Sequence, residues 1–245
     1  MAIKIIIDEG RNFNDNILIT GFHGIGTTGF IAVKYIVNEL KAEKIGTILC
    51  DGQPPFITTF ENKISLPFEL FQKNKFVFLV PQFQPYRHEF QPFSETLVEW
   101  SIKSKIRKTI LIGGLDSRLK KKDEPEDNIR IIATTAYQKK FETRLPYLED
   151  GLFVTGPIAL MLTFYEVKKF PAIALLPYAE SSRADPLAAA IAIKEINQIT
   201  KMDIGVEKLI QDAEKIEQDL SEIILQTKEQ QDMDTKDQGN KRLYI

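Results

Sequence analysis

Six short apolar runs rich in β-branched residues alternate along this chain with segments of helical periodicity, and this alternation restricts the possible folds more than any other feature. The runs are bounded by glycine, proline or charged residues, as is typical of buried strands: 17–20, 45–49, 76–80, 109–112, 129–135 and 172–176. Another strand is expected at 4–7. Strands that alternate with helices favour a mostly parallel sheet covered on both faces, so we predict an α/β fold, a three-layer α/β/α sandwich.

Helical patterns follow several of these strands. The first helix is expected after Thr27 and Thr28, either of which would cap it by accepting a backbone N–H. Further helices are predicted over 92–103, with Pro92 as the first residue, over 156–168, and over 185–200, with Asp185 as the cap. Two extended segments within 56–71 are expected to form a hairpin and an antiparallel edge of the sheet.

The character of the sequence changes after residue 204. Apolar residues at heptad steps over 206–223 predict an amphipathic helix, and the sequence leaves open whether it packs on its own domain or on a second subunit. Between 226 and 242, Met233 is the only hydrophobic residue, which predicts a flexible linker. We therefore divide the chain into a core domain (1–204), a C-terminal amphipathic helix (205–225) and a tail (226–245).

Composition excludes several classes of protein. The 32 basic and 34 acidic residues give a net charge of -2, so no overall positive field attracts nucleic acid or an anionic membrane. With one cysteine and two histidines, disulfide and zinc scaffolds are excluded, and no metal or cofactor is expected. The uncharged stretch 151–165 is shorter than the roughly 20 residues of a bilayer span. Residues 1–10 are too charged for a secretory signal, so a cytoplasmic location is expected.

A glycine-rich turn offers one route to an enzyme. Residues 24–29 match Gly-x-Gly-x-x-Gly after a predicted strand, and Asp51 ends the next strand. In a nucleotide-binding enzyme, Gly24, Gly26 and Gly29 would admit a pyrophosphate to the helix N-terminus, and Asp51 would bind a ribose hydroxyl. The simpler interpretation, which we prefer, is a tight turn that needs glycine for steric reasons.

A catalytic triad is a second route to enzyme chemistry. His23 beside the glycine turn and Asp116 with Ser117 after a predicted strand have suitable side chains. The chain lacks the Gly-x-Ser-x-Gly elbow, however, and a histidine in a turn is more often a hydrogen-bonding loop residue. No enzymatic activity is therefore predicted.

The last three residues, Leu243, Tyr244 and Ile245, are apolar again after the polar linker. A hydrophobic residue, a penultimate tyrosine and any last residue form the pattern by which regulators dock on the outer ring of the proteasome core particle. The terminal carboxylate can pair with a lysine, the hydrophobic side chain can fill a cleft, and the tyrosine offers a ring and a hydroxyl. The alternative is a scaffold protein whose tail is accidental.

Four stretches together resemble the proteasome assembly chaperone family in its archaeal form: Gly21–Gly26 leading through Gly29, Leu111–Leu115, Thr155–Pro157 and Ala184–Ala189. The resemblance spans roughly residues 15–200. It implies an α/β/α sandwich related in architecture to nucleoside phosphorylases but without their catalysis. It also implies a homo-oligomer, with a tetramer favoured, whose tails insert between α-subunits of the proteasome and activate it without ATP. Leu243, Tyr244 and Ile245 alone carry over as functional residues.

The sequence therefore predicts an ATP-independent activator, an assembly chaperone, or both, that binds the α-ring of the proteasome core particle through several tails. It does not decide between activation and assembly. The alternative from another class is a nucleotide-binding enzyme that uses the glycine-rich turn.

Overall fold

The computed structural model describes residues 3–51, 57–60, 62–120 and 128–211. The chain divides into two compact units, Met1–Ile204 and Gly205–Ile245. In the second unit, residues 207–211 are helical. The remainder of the predicted C-terminal helix and the whole tail lie outside the described residues. Among the helices that are described, none combines the length and the apolar character needed to cross a membrane.

The first unit alternates strands and helices along most of its length. Its strands are β1 (Lys4–Ile7), β2 (Ile17–Gly21), β3 (Glu43–Leu49), β4 (Thr58–Phe60), β5 (Lys63–Ser65), β6 (Phe68–Lys73), β7 (Phe76–Pro81), β8 (Lys108–Ile112), β9 (Leu115–Asp116), β10 (Ile129–Ala133) and β11 (Ala172–Ala179). Its α-helices are α1 (Thr28–Glu39), α2 (Phe90–Lys103), α3 (Thr135–Gln138), α4 (Pro157–Val167) and α5 (Pro186–Thr200).

The main sheet has the order β1-β3-β6-β7-β2-β8-β11-β10, with β9 paired to β11. Its centre is parallel: β7 and β8 both run parallel to β2, and β11 runs parallel to β8. The central strands are buried on both faces, and β8 and β11 are buried at every position, as parallel strands between helical layers require. The predicted α/β class is confirmed.

Antiparallel strands flank this parallel centre on both sides. On one side β6 pairs with β7, β3 with β6 and β1 with β3, and on the other side β10 pairs with β11. The predicted hairpin within 56–71 is confirmed as β4 and β5, but the two strands form a separate two-stranded sheet. The predicted antiparallel edge is present, but β1, β3 and β6 form it on one side and β10 on the other, while the hairpin stays outside the main sheet.

Helices cover the two faces of the sheet in pairs. On one face α2 packs against α4, over a core that includes Leu18, Leu111 and Ala174. The alternate strand residues, such as Ile19 and Ile110, are fully buried on the opposite face, where α1 packs against α5. Successive strand residues point to opposite faces, so the two helical layers bury two separate sets of apolar side chains.

Most helix boundaries agree with the sequence predictions. Gly156 and Asp185 immediately precede α4 and α5, and Pro157 and Pro186 are the first helical residues. Two expectations were wrong. Helix α2 begins at Phe90, which makes Pro92 its third residue.

The predicted cap of α1 was the second wrong expectation. Thr27 has a left-handed backbone (φ 51°), whereas a capping residue normally has an extended one, and it makes no side-chain capping bond. Thr28 is already the first helical residue, and its hydroxyl donates to the carbonyl oxygen of Ile25 at 3.0 Å.

Candidate functional site

A cleft of about 730 Å³ lies at the carboxyl ends of β2 and β8. Its lining comes from the glycine-rich turn after β2, from residues 113–116 after β8, and from residues 153–160 at the start of α4. The chain leaves β2 for α1 on one face of the sheet, whereas after β8 it passes through β9, β10 and α3 before it reaches α4 on the other face. In open α/β sheets this divergence of connections creates the crevice where ligands bind. Three of the four family-like stretches therefore meet at one place.

The glycine-rich turn is shaped first by steric demands. A Cβ atom on Gly29 would lie 2.2 Å from the carbonyl oxygen of Ile112 and 2.9 Å from the Cα of Gly21. Gly26 has φ +62°, which favours glycine. At Gly24, by contrast, a Cβ would meet nothing within 4 Å. Close approach of α1 to the ends of β2 and β8 therefore accounts for Gly29, whereas Gly24 faces open space.

Asp185 ties the fourth family-like stretch to the same turn. Its backbone N–H donates to the carbonyl oxygen of Gly26 at 2.8 Å. Its carboxylate caps α5 by accepting from the N–H of Ala188 at 2.9 Å, and it also accepts from the N–H of Glu180 at 2.9 Å. Asp185 thus connects the end of β11 and the start of α5 through its side chain, and the glycine-rich turn through its backbone. These contacts support a structural role for the Asp-Pro pair.

Asp51 is not brought to the glycine-rich turn. It follows β3, and β6 and β7 separate β3 from β2 in the sheet. Three strand spacings of about 4.8 Å place the two strands roughly 14 Å apart. Gly24, Gly26 and Gly29 lie together, as predicted. Asp51, however, is too far away to bind the ribose of a nucleotide whose pyrophosphate lies on this turn.

His23, Asp116 and Ser117 do not assemble a triad. His23 Nε2 lies 3.0 Å from the carbonyl oxygen of Pro81, and its ring stacks on Phe30 with centroids 4.2 Å apart. Burial lowers the pKa of His23 and the positive charge of Lys34 lowers it further, against two backbone hydrogen bonds that raise it. A neutral imidazole at neutral pH is therefore expected, held in place as a loop residue.

The carboxylate of Asp116 is engaged by Arg118. The arginine side chain binds both carboxylate oxygens, and its backbone N–H donates to Oδ1 at 3.0 Å. These hydrogen bonds hold the pKa of Asp116 well below its usual range. The hydroxyl of Ser117 donates to Glu180 at 3.2 Å instead of facing His23. Each member of the hypothetical triad therefore has a different partner.

The cleft offers a surface for binding but few side chains that could act in catalysis. Its walls include the apolar side chains of Phe22, Phe90 and Ile158. Gln84 also lines it, and the side-chain oxygen of Gln84 is buried without a hydrogen-bond partner. Among the described residues, no group of three or more His, Cys, Asp or Glu side chains is placed to hold a metal ion. The arrangement suits a small apolar molecule that donates a hydrogen bond.

Sequence reasoning missed part of this site. Gln84 and Arg87 follow β7 in a connection marked only by its aromatic residues and prolines, a pattern that does not distinguish a cleft lining from a core. The three residues predicted to dock on a partner, Leu243, Tyr244 and Ile245, lie outside the described residues.

Comparisons with known proteins support the fold and identify relatives. The sequence matches the PAC2 family over residues 18–224. It is 25% identical over 225 residues to an uncharacterised protein of Methanocaldococcus jannaschii, and the match covers 91% of each chain. The structure resembles Pyrococcus furiosus PbaA, an archaeal homolog of proteasome-assembly chaperone, with a TM-score of 0.80, 21% identity and 99% of each chain covered. Pyrococcus furiosus PbaB, an archaeal proteasome activator, gives a TM-score of 0.72 at 19% identity, covering 90% of this chain and 98% of that one.

Proposed function

Because the chain belongs to the PAC2 family, we propose that it is a non-enzymatic activator, assembly chaperone, or both, of the proteasome core particle. Its fold is shared with PbaA and PbaB, which are a proteasome-assembly chaperone homolog and a proteasome activator. The observation that carries the proposal is the sequence Leu243-Tyr244-Ile245 at the end of a PAC2 chain. The proposed partner is the α-ring of the core particle, and the proposed location is the cytoplasm.

Docking occurs through several tails at once. We take the protein to be a homo-oligomer, with a tetramer favoured, because a single tripeptide binds weakly and linked copies raise the effective concentration of the later contacts. If 226–242 form the flexible linker predicted from the sequence, its typical reach is roughly 23 Å and its contour limit roughly 56 Å. This reach accommodates a mismatch between the symmetry of the oligomer and that of the ring.

Removal of the last three residues tests the docking. Deleting 243–245 is expected to abolish both the stimulation of peptide hydrolysis by purified core particles and co-migration with them on size exclusion. Tyr244→Ala should act similarly, because it removes the ring and the hydroxyl together. Ile245→Val is the matched control, since any last residue satisfies the pattern. Full stimulation by the truncated chain would overturn the tail-docking proposal.

Activation and assembly need separate measurements. Hydrolysis of a fluorogenic peptide by pre-assembled core particles reports gate opening. The yield of core particles from separately purified α- and β-subunits reports assembly. Neither experiment requires ATP, and an absolute dependence on ATP in either would contradict the proposed mechanism.

A nucleotide-binding enzyme is the second candidate, favoured by the cleft at the carboxyl ends of β2 and β8. NAD, FAD or ATP bound there would raise the thermal midpoint, since a ligand that prefers the native state stabilises it. We expect no shift with any of the three. Gly24→Val provides the control, because a side chain at Gly24 extends into open space. A saturable shift in the parent chain that this variant loses would favour the enzyme.

A further inference from the structure

Cations gather at the amino-terminal edge of the parallel strands, opposite the cleft. We define the basic edge as Lys105, Arg107, Lys108, Lys139, Lys140 and Lys169. Backbone hydrogen bonds join the segments that carry them: the N–H of Asp15, before β2, donates to the carbonyl oxygen of Lys105, and the N–H of Thr109 in β8 donates to that of Pro171 before β11. The N–H of Thr134, just before α3, donates to the carbonyl oxygen of Ala172, so the segment that carries Lys139 and Lys140 lies beside the other two.

Helix geometry explains some of these cations but not all of them. Lys105 follows α2 and Lys169 follows α4, each with a left-handed backbone (φ 57° and 53°). A lysine at the carboxyl end of a helix interacts favourably with the helix dipole, although glycine is the usual residue in this conformation. Lys108 begins a strand, and Lys139 and Lys140 follow a single helical turn. The helix dipole does not account for these three lysines.

Lys108 is the most unusual member of the basic edge. It is only 5% exposed, yet among the described residues its ammonium forms no ion pair and no hydrogen bond. It lies over the rings of Phe141 and Tyr137, with Nζ 4.5 Å and 5.7 Å from the ring centroids. Arg107 lies over Phe141 as well, at 5.6 Å. Burial, together with the positive charge of the neighbouring Arg107, lowers the pKa of Lys108 to about 8.

Nearby carboxylates are too few or already engaged. Asp15 is 3.3 Å from Lys75 and 3.9 Å from Arg107. Glu166 accepts the backbone N–H and the hydroxyl of Thr135 at 2.8 and 2.7 Å, and its charge also interacts with that of Lys139. Glu142 is exposed and forms no ion pair within the part of the chain described here. The basic edge therefore keeps an excess of positive charge, and at the buried Lys108 this charge costs free energy unless an anionic partner compensates it.

We propose that the basic edge is a second interaction surface, which binds an acidic segment of a protein partner with one carboxylate paired to Lys108. This surface is separate from the C-terminal tripeptide, so the proposal stands independently of tail docking. The fold leaves the Lys108 ammonium without a counter-ion, and a carboxylate of the partner would supply one. Such electrostatic complementarity selects a partner and speeds its association.

An acidic protein fits this surface better than a nucleic acid does. Single-stranded nucleic acids bind through open aromatic faces on which bases stack, whereas Phe141 is already covered by Lys108 and Arg107. Five of the six cations of the basic edge are lysines, which act as point charges and lack the bidentate geometry that favours arginine at phosphate sites. The net charge of -2 also gives the whole chain no general attraction for polyphosphates.

Binding of a fluorescent oligoglutamate peptide to the full chain tests the proposal. We expect saturable binding that weakens with added salt and that Lys139→Glu with Lys140→Glu reduces by about tenfold or more. The matched control, Lys4→Glu with Lys194→Glu, makes the same charge change at exposed lysines elsewhere and should reduce binding by less than about twofold. Deleting 243–245 should leave this binding unchanged.

The titration of Lys108 provides a second readout. Its amine is followed by NMR of 13C-labelled lysine, with the signal assigned by its loss in Lys108→Arg. Bound oligoglutamate is expected to raise the Lys108 pKa, because a carboxylate favours the charged amine. The proposal is overturned if both double variants weaken binding equally or if the Lys108 pKa does not move. Tighter binding of a single-stranded DNA of equal charge, with the same pKa rise, would make the surface a polyphosphate site instead.

Discussion

The carboxyl and amino ends of the parallel strands form two opposite edges of the central sheet, called here the carboxyl edge and the amino edge, and these differ in how their charged side chains are paired. At the carboxyl edge, glycines admit close backbone contact and the charged side chains are engaged: Asp116 holds Arg118, and Asp185 accepts two backbone N–H groups. At the amino edge, lysines accumulate with little compensation, and Lys108 is buried against aromatic rings. The sequence motifs thus lie at the carboxyl edge, where the charged side chains have partners.

This difference teaches that a motif can mark a packing requirement instead of a chemical one. The Gly-x-Gly-x-x-Gly turn and the Asp-Pro pair hold each other through the hydrogen bond from Asp185 to Gly26. The surface with uncompensated charge has no short motif, because its lysines come from three separate segments that only the topology brings together.

The largest expected effect is that of Gly29→Ala. Its new Cβ would meet the carbonyl oxygen of Ile112 at 2.2 Å, and neither backbone can move without separating α1 from the sheet. We expect a loss of about 3 kcal/mol or more in the free energy of unfolding, measured with urea. Gly24→Ala is the matched control and should change that value by less than about 0.5 kcal/mol. Equal losses at the two positions would mean that the turn is not governed by steric packing.

Asp185→Ala should have an intermediate effect. The substitution removes the acceptor for the N–H groups of Ala188 and Glu180, and loss of a helix cap costs about 1–2 kcal/mol. Asp185→Asn keeps one acceptor oxygen and is expected to lose about half as much by the same urea measurement. If the alanine variant is as stable as the parent chain while some ligand loses affinity, then Asp185 serves binding and the carboxyl edge is not purely structural.

Much of the fold could be predicted because local rules and packing agree in it. Helix α5 follows the Asp-Pro start signal at Asp185, and the strands β8 and β11 appear as continuous apolar runs. The position of β3 could not be predicted in the same way. Chain order suggests that β3 lies next to β2, yet β6 and β7 intervene. Strand order depends on long-range pairing, which periodicity does not encode, and the interpretation of Asp51 depended on that order.

The candidate site was predictable only in part for the same reason. The glycine-rich turn and the stretches at 113–114 and 155–157 could be recognised separately, and their convergence on one cleft required the sheet. Lys108 left a weak signal, a lysine directly before an apolar strand. Its burial depends on Phe141, which is distant in sequence and reaches it through the short helix α3. A pattern within one segment cannot show such a contact.

The smallest expected effect concerns the pH dependence that Lys108 gives to folding. Its folded pKa of about 8 lies below the unfolded value of about 10.4. Between these two values the unfolded chain binds more protons than the folded chain, so this lysine makes stability rise with pH. Below pH 8 both states are protonated, and the folded state bears the full cost of the buried charge. Lys108→Met should therefore be more stable than the parent at pH 7, by on the order of 1 kcal/mol, and the advantage should shrink towards pH 10.

The comparison of the two chains isolates Lys108 from groups with the opposite trend. Burial raises the pKa of the Cys50 thiol to about 12 and that of Tyr137 to about 12, so both groups make stability fall as pH rises through their unfolded values. Cys50 is common to both chains and cancels in the difference, and working at or below pH 10 keeps Tyr137 protonated in the folded state. The stability advantage of Lys108→Met over Lys108→Arg, which stays charged throughout, should not shrink over the same pH range. A Lys108→Met advantage that stays constant from pH 7 to 10 would mean that Lys108 keeps its proton, and the amino edge would then tolerate its charge without a partner.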